Sequence, residues 1–166
     1  KDTVVKGVGI GAFKENRHIQ NIVLPDSCEK INASAFKDCS SLVSISGTGI
    51  KEIATSAFED SSVETVVFPN MEKIGTYAFS GCSNLSSIIL SQVKEISSYA
   101  FQNTTNLGSV YCNELNEMGM YVFGQSGINT FNAPKLSSIG NNAFKKCSFV
   151  TITLPETLQS IGEKAF

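Results

Sequence analysis

Residues 154–166 read LPETLQSIGEKAF and residues 68–82 read FPNMEKIGTYAFSGC. Leu158, Ile161, Gly162, Ala165 and Phe166 of the first stretch fall on Met71, Ile74, Gly75, Ala78 and Phe79 of the second. The same frame recurs along the whole chain. Phe13, Phe36, Phe58, Phe79, Phe101, Phe123, Phe144 and Phe166 follow one another at intervals of 23, 22, 21, 22, 22, 21 and 22 residues. All but Phe123 are preceded by Ala, and five residues before each stands Val8, Ile31, Ile53, Ile74, Ile96, Met118, Ile139 or Ile161. A further apolar column holds Ile22, Ile45, Val66, Ile88, Val110, Phe131 and Ile152. Two residues on come Leu24, Gly47, Phe68, Leu90, Cys112, Ala133 and Leu154, often followed by proline. The unit is LxxIxLPxxLxxIxxxAFxxCxx.

A period near 22 is that of stacked coils, in which one unit cannot bury its own apolar face and the neighbouring units must cover it. The IxL step alternates with period two and predicts one short strand per coil. Corresponding strands run the same way, so they build a nearly continuous parallel sheet along one face of the stack. The stretch from Asn32 to Cys39 is too short for a full helix and predicts a helical turn on the opposite face, with Phe36 pointing inward. Eight rings repeated at coil spacing form an aromatic ladder in the core. The expected molecule is a single mostly β solenoid over residues 1–166, about seven and a half repeats of 21–23 residues, an excerpt without terminal caps.

The repeat resembles the leucine-rich repeat of the BspA or Treponema type, most closely at Leu154 to Phe166 and Phe68 to Cys82. Gly47-Thr48 and Cys112-Asn113 depart from its Leu-Pro step, and the asparagine ladder of commoner leucine-rich repeats is absent. The resemblance implies a leucine-rich-repeat solenoid with its sheet on the concave face, in an exported or cell-surface protein. It also implies an adhesin-like role toward extracellular or host proteins, with no ligand assigned to particular residues.

Composition narrows the function from another side. Thirteen basic residues against fifteen acidic ones give a net charge of −2, without the basic excess of a nucleic-acid binder. No apolar run approaches the ~20 residues of a membrane span. Ser, Thr and Asn total 46, and charged residues only 17%, a hydroxyl-rich style that suits an extracellular or cell-surface setting. His18 is the single histidine and falls where the repeat predicts solvent. With no HExxH and no CxxC, neither a metal site nor a His-dependent triad can be assembled. The run from Gly7 to Gly11, GVGIG, lies on repeat turns without the strand-loop-helix context of a dinucleotide fingerprint. Neither catalytic residues, metal nor cofactor are expected. The five cysteines occupy core columns two or more coils apart or stand in for apolar residues, and are expected to be free, buried thiols.

Two outward patterns remain. Lys6, Glu29, Lys51, Glu72 and Lys94 stack as one charge ladder and Lys30, Glu52, Lys73 and Glu95 as a second, each charge flanked by opposites, which sets register. On the sheet face, Val67, Ile89 and Tyr111 place an apolar stripe on three adjacent coils, edged by Ser and Thr. Tyr77, Tyr99 and Tyr121, two residues before successive ladder phenylalanines, form a partly exposed aromatic row in the same coils. These six residues are the candidate partner-binding site of a non-catalytic protein-recognition module. The alternative is a passive spacer presenting another domain. Open coil ends also predict end-to-end self-association of this chain.

Overall fold

Each coil of the computed structural model, which describes residues 4–149 and 151–166, presents short strands that pair in parallel with those of the coils before and after it. Eight two-residue strands form one uninterrupted sheet: β1 (Gly7–Val8), β3 (Lys30–Ile31), β5 (Glu52–Ile53), β7 (Lys73–Ile74), β9 (Glu95–Ile96), β11 (Glu117–Met118), β13 (Ser138–Ile139) and β14 (Ser160–Ile161). The IxL segments form a second face, in two pieces. Strands β2 (Asn21–Val23), β4 (Ser44–Ser46), β6 (Thr65–Val67) and β8 (Ser87–Ile88) make a four-stranded sheet, and β10 (Ser109–Tyr111) pairs with β12 (Thr130–Asn132). The parallel solenoid expected from the repeat is therefore present, but the continuous sheet is not the IxL one. A two-residue strand has no alternation to read, so the column ending in Val8, Ile31 and Ile53 carries no periodic signature of extended backbone.

The segment around Ala-Phe corrects a second expectation. Among the described residues there is no helix. Ala35, Lys37 and Cys39 donate their N–H groups three residues back, to Asn32, Ser34 and Phe36. The alternate N–H groups of Ser34, Phe36 and Asp38 instead cross to Thr55, Ala57 and Glu59 of the next coil at 3.1, 2.7 and 2.9 Å. A helical turn would direct every N–H within its own segment. Here neighbouring coils offer a carbonyl to every second residue, and the backbone accommodates this by entering the left-handed region twice per coil. Ser34 and Asp38, Ser56 and Asp60, Tyr77 and Gly81, Tyr99 and Asn103, and Tyr121 and Gln125 all have φ between 53° and 74°.

Between the sheets and these turns runs the aromatic ladder. Its eight rings stack at centroid distances of 4.9–5.7 Å with interplanar angles of 5–14°. Phe36, Phe58, Phe79, Phe101, Phe123 and Phe144 are fully buried. At roughly 1.5–3 kcal/mol for each buried ring the ladder adds to the comparable burial of the Leu, Ile and Val columns in every internal coil. Phe131, standing where other coils have Ile or Val, turns its edge to Phe123 and Phe144. The glycine of the IGxxAF step has its own reason: a Cβ on Gly140 would lie 2.4 Å from the carbonyl oxygen of Gly119 in the coil below.

The position three residues after each ladder Phe from Phe36 to Phe144 is a column of Cys, Ser and Thr, buried from Cys39 to Ser126 and half-buried at Cys147. Cys39, Cys82 and Cys147 donate their thiols to the carbonyls of Phe13, Phe58 and Phe123 at 3.0, 2.9 and 3.0 Å. Between them Ser61 and Ser126 lie 3.4 and 3.5 Å from the sulfurs of Cys82 and Cys147. Thr104 donates to its own turn, to the carbonyl of Phe101, at 2.7 Å. The carbonyls of Phe13, Phe58 and Phe123 already accept the backbone N–H of Asn16, Ser61 and Ser126, so each thiol adds a second donor and finds its own partner in the interior.

Candidate functional site

The eight-stranded sheet spends its outward positions on charge. Lys30, Glu52, Lys73, Glu95 and Glu117 follow one another in register on β3, β5, β7, β9 and β11. Among the described residues the ion pairs on and beside this sheet are Lys30–Glu52 at 2.7 Å, Lys73–Glu95 at 3.5 Å, Glu29–Lys51 at 3.8 Å and Glu72–Lys94 at 2.7 Å. The two expected ladders are thus broken into separate pairs. Glu29, Glu52, Glu72 and Glu95 each meet one ammonium, and the like charges of Glu95 and Glu117 end the alternation. Contact with Lys94 holds the Glu72 carboxyl below its ordinary range and lifts the Lys94 ammonium above its own.

The IxL face is made differently. Outward residues of β2, β4, β6, β8, β10 and β12 are Asn, Ser, Thr, Val and Tyr, and none is charged. On it Val67, Ile89 and Tyr111 stand 40%, 39% and 58% exposed. Val67 lies opposite Ser46 in the β4–β6 ladder, and Tyr111 opposite Asn132 in the β10–β12 ladder. No strand pairing joins β8 to β10, so the backbone ladder opens within the stripe, between Ile89 and Tyr111. Val23, 83% exposed at the same position on β2, extends the column past Ser46. Its place in the column is visible in the sequence, but the polar residue between it and Val67 hides the continuity. Beyond Tyr111 the face dips into a groove whose walls include Thr130, Asn132, Pro134, Thr153 and Glu156.

Tyr77, Tyr99 and Tyr121 do form the expected row, stacked at 4.8 and 5.3 Å and half-buried. Tyr99 donates its hydroxyl to the sulfur of Met120, and the Lys145 ammonium sits 5.4 Å over the Tyr121 ring. These three rings occupy left-handed positions of the turn that follows the eight-stranded sheet, whereas Val67 and Tyr111 lie on the IxL strands β6 and β10 and Ile89 directly after β8. The six candidate residues are therefore two separate features, one packed on itself and one facing solvent.

Among the described residues no three His, Cys, Asp or Glu side chains converge on a metal-sized site. His18 is exposed, its N–H donating to the Asn16 side chain. All five cysteines are free. Burial pushes the thiols of Cys28, Cys39 and Cys147 up, and those of Cys82 and Cys112 up to about 12, so the reactive thiolate is suppressed. Among the described residues no helix is long and apolar enough to cross a membrane.

The sequence model of the family described as BspA type leucine rich repeat region matches residues 6–129 and 116–166. The chain belongs to that family. Among solved structures this BspA-type chain is similar to a leucine rich cell surface protein from Faecalibacterium prausnitzii A2-165, at 25% identity and a TM-score of 0.66 over 98% of the chain. It is similar in fold to a leucine-rich repeat protein from Bacteroides ovatus, 22% identical over 95% of the chain with a TM-score of 0.57. The pneumococcal vaccine antigen PcpA shares the fold at 17% identity over 95% of the chain, with a TM-score of 0.52. The chain spans 40%, 49% and 64% of those three proteins. Among curated proteins none matches it.

Proposed function

We propose that the chain is a non-catalytic recognition segment of an exported or cell-surface protein and binds another protein through its IxL face. The observation that carries this reading is the contrast between the two faces. The eight-stranded sheet is continuous and pairs Lys30 with Glu52 and Lys73 with Glu95, while the IxL strands carry no charge and leave Val67, Ile89 and Tyr111 in solvent. Apolar area amid hydroxyls is what a non-obligate protein interface uses, desolvation at the centre and adaptable hydrogen bonds around it. The likeness to a leucine rich cell surface protein supports the location, and makes an extracellular or host protein the partner to seek.

The test is the double variant Ile89→Ser with Tyr111→Ala. Both side chains are already partly in water, so the circular dichroism and unfolding midpoint are expected to stay near those of the parent chain. Binding of surface-displayed chain to extracellular-matrix proteins is expected to fall at least tenfold. Unchanged binding by the folded variant refutes recognition through this face and leaves the chain a spacer.

A further inference from the structure

We infer that the segment the IxL face accepts is an extended, uncharged stretch of a partner protein, laid along the solenoid axis across the strands, rather than the flat side of a folded domain. This rests on the reading above and narrows it. Coils repeat at about 5 Å, as the aromatic ladder records, so the six IxL strands span ~25 Å from β2 to β12. Each is at most three residues long, ~10 Å. The uncharged strip therefore offers ~250 Å², well short of the roughly 800 Å² per partner that a stable interface between folded proteins covers. Past its far margin stand Asp26 and the Glu114–Lys135 pair, closed at 2.6 Å, while of the six residues that immediately precede the strands Glu64 alone is charged.

An extended chain matches these limits. At ~3.3 Å per residue, about eight residues run the length of the strip, and a single backbone fits its width. Ile89 and Tyr111 give such a segment two neighbouring apolar seats about one coil apart, beside the point where the ladder between β8 and β10 is open. Serine side chains such as Ser87 and Ser109, exposed beside that stripe, are available to its peptide groups. The absence of charge on the strip favours a segment that brings none, because a buried, unpaired charge would cost more than the contact returns.

The experiment is selection of the 166-residue chain against two displayed libraries, linear random peptides of about ten residues and a folded-scaffold library with a randomised flat face. The expected result is a family of linear peptides with an uncharged, apolar-rich centre. Their affinity for the purified chain, read by fluorescence anisotropy, falls at least tenfold with Ile89→Ser or with Val67→Lys, and less than twofold with Lys73→Ala on the charged sheet. Linear binders indifferent to Ile89→Ser and Val67→Lys overturn both this inference and recognition through the IxL face. Binders from the folded library alone, lost with the same two variants, overturn the extended segment and keep the face. Binders from neither library overturn both.

Discussion

Tyr99 holds φ at +64° while stacking between Tyr77 at 4.8 Å and Tyr121 at 5.3 Å. Its ring and its backbone therefore pull stability in opposite directions. Truncation to Ala removes two aromatic contacts of about 0.5–1.5 kcal/mol each and part of a half-buried ring, an expected loss of ~2–3 kcal/mol. Ala keeps a Cβ, and with it the ~1–2 kcal/mol cost of a left-handed residue. Gly loses the same contacts but is relieved of that cost, at an entropic penalty of roughly 0.5–1 kcal/mol. Tyr99→Gly is therefore expected to be more stable than Tyr99→Ala by about 0.5–1 kcal/mol. At Ala100, the next residue and outside the left-handed set, glycine is expected to cost ~1 kcal/mol in the ordinary direction. Urea denaturation of the three variants, compared at equal m-value, reads both differences. If Tyr99→Gly proves less stable than Tyr99→Ala, the segment behaves as the helical turn that the sequence suggests, and Tyr99 is not left-handed.

Three other outcomes follow from the same geometry. Phe79→Ala, which removes a fully buried ring stacked at 4.9 and 5.3 Å on both sides, is expected to cost ~3–5 kcal/mol in urea unfolding; Phe13→Ala, half-buried with one stacking neighbour, is expected to cost clearly less, and equal losses would contradict the ladder. In the native chain at pH 8 a thiol-specific chromogenic reagent is expected to react first with half-buried Cys147 and not with Cys82 or Cys112, whose thiols are pushed up to about 12, until denaturant is added. Burial, together with Glu59 and Asp38, raises the carboxyl of Asp60. A group raised on folding contributes stability below its unfolded pKa and loses it as pH rises through the folded one, so ionised Asp60 weakens the fold at neutral pH. Asp60→Asn, which also suits φ of +56°, is accordingly expected to stabilise the chain at pH 7 and to leave it unchanged at pH 3 by chemical denaturation.

The repeat, the inward columns and the phenylalanine ladder were legible because each rests on side chains whose burial is their whole role. A ring every 21–23 residues has no other reading once its neighbours share the period. The sheet arrangement was less legible. Ile22 and Leu24 announce a strand by alternation, whereas Lys30–Ile31 is too short to show any, and it is the latter column that runs unbroken through eight coils. The left-handed turns left a partial trace. Gly11, Asp38, Asp60, Gly81, Asn103 and Asn142 are residue types that suit positive φ, but Tyr77, Tyr99 and Tyr121, in the column of Gly11 and Asn142, read instead as an aromatic surface. At the candidate site the stripe was visible residue by residue. Its extension to Val23 and the open ladder between β8 and β10 were not, because neither a polar interruption nor a missing hydrogen-bond row has a composition of its own.

The two faces also differ in what they leave available, and this decides where recognition can arise. Along the eight-stranded sheet, Lys30 and Lys73 each find a carboxylate on the next strand, so a ligand there would have to break pairs already made while gaining little, exposed pairs being worth about 0–1 kcal/mol each. On the IxL face no such contact has to be broken to reach Ile89 or Tyr111, and the area that would be desolvated is apolar already. The rigidity needed to present that face comes from the other side of the same coils, where the unbroken ladder and the stacked rings fix the spacing from one coil to the next. Charge reversal at Lys73 should therefore touch stability before it touches binding, and substitution at Ile89 the reverse.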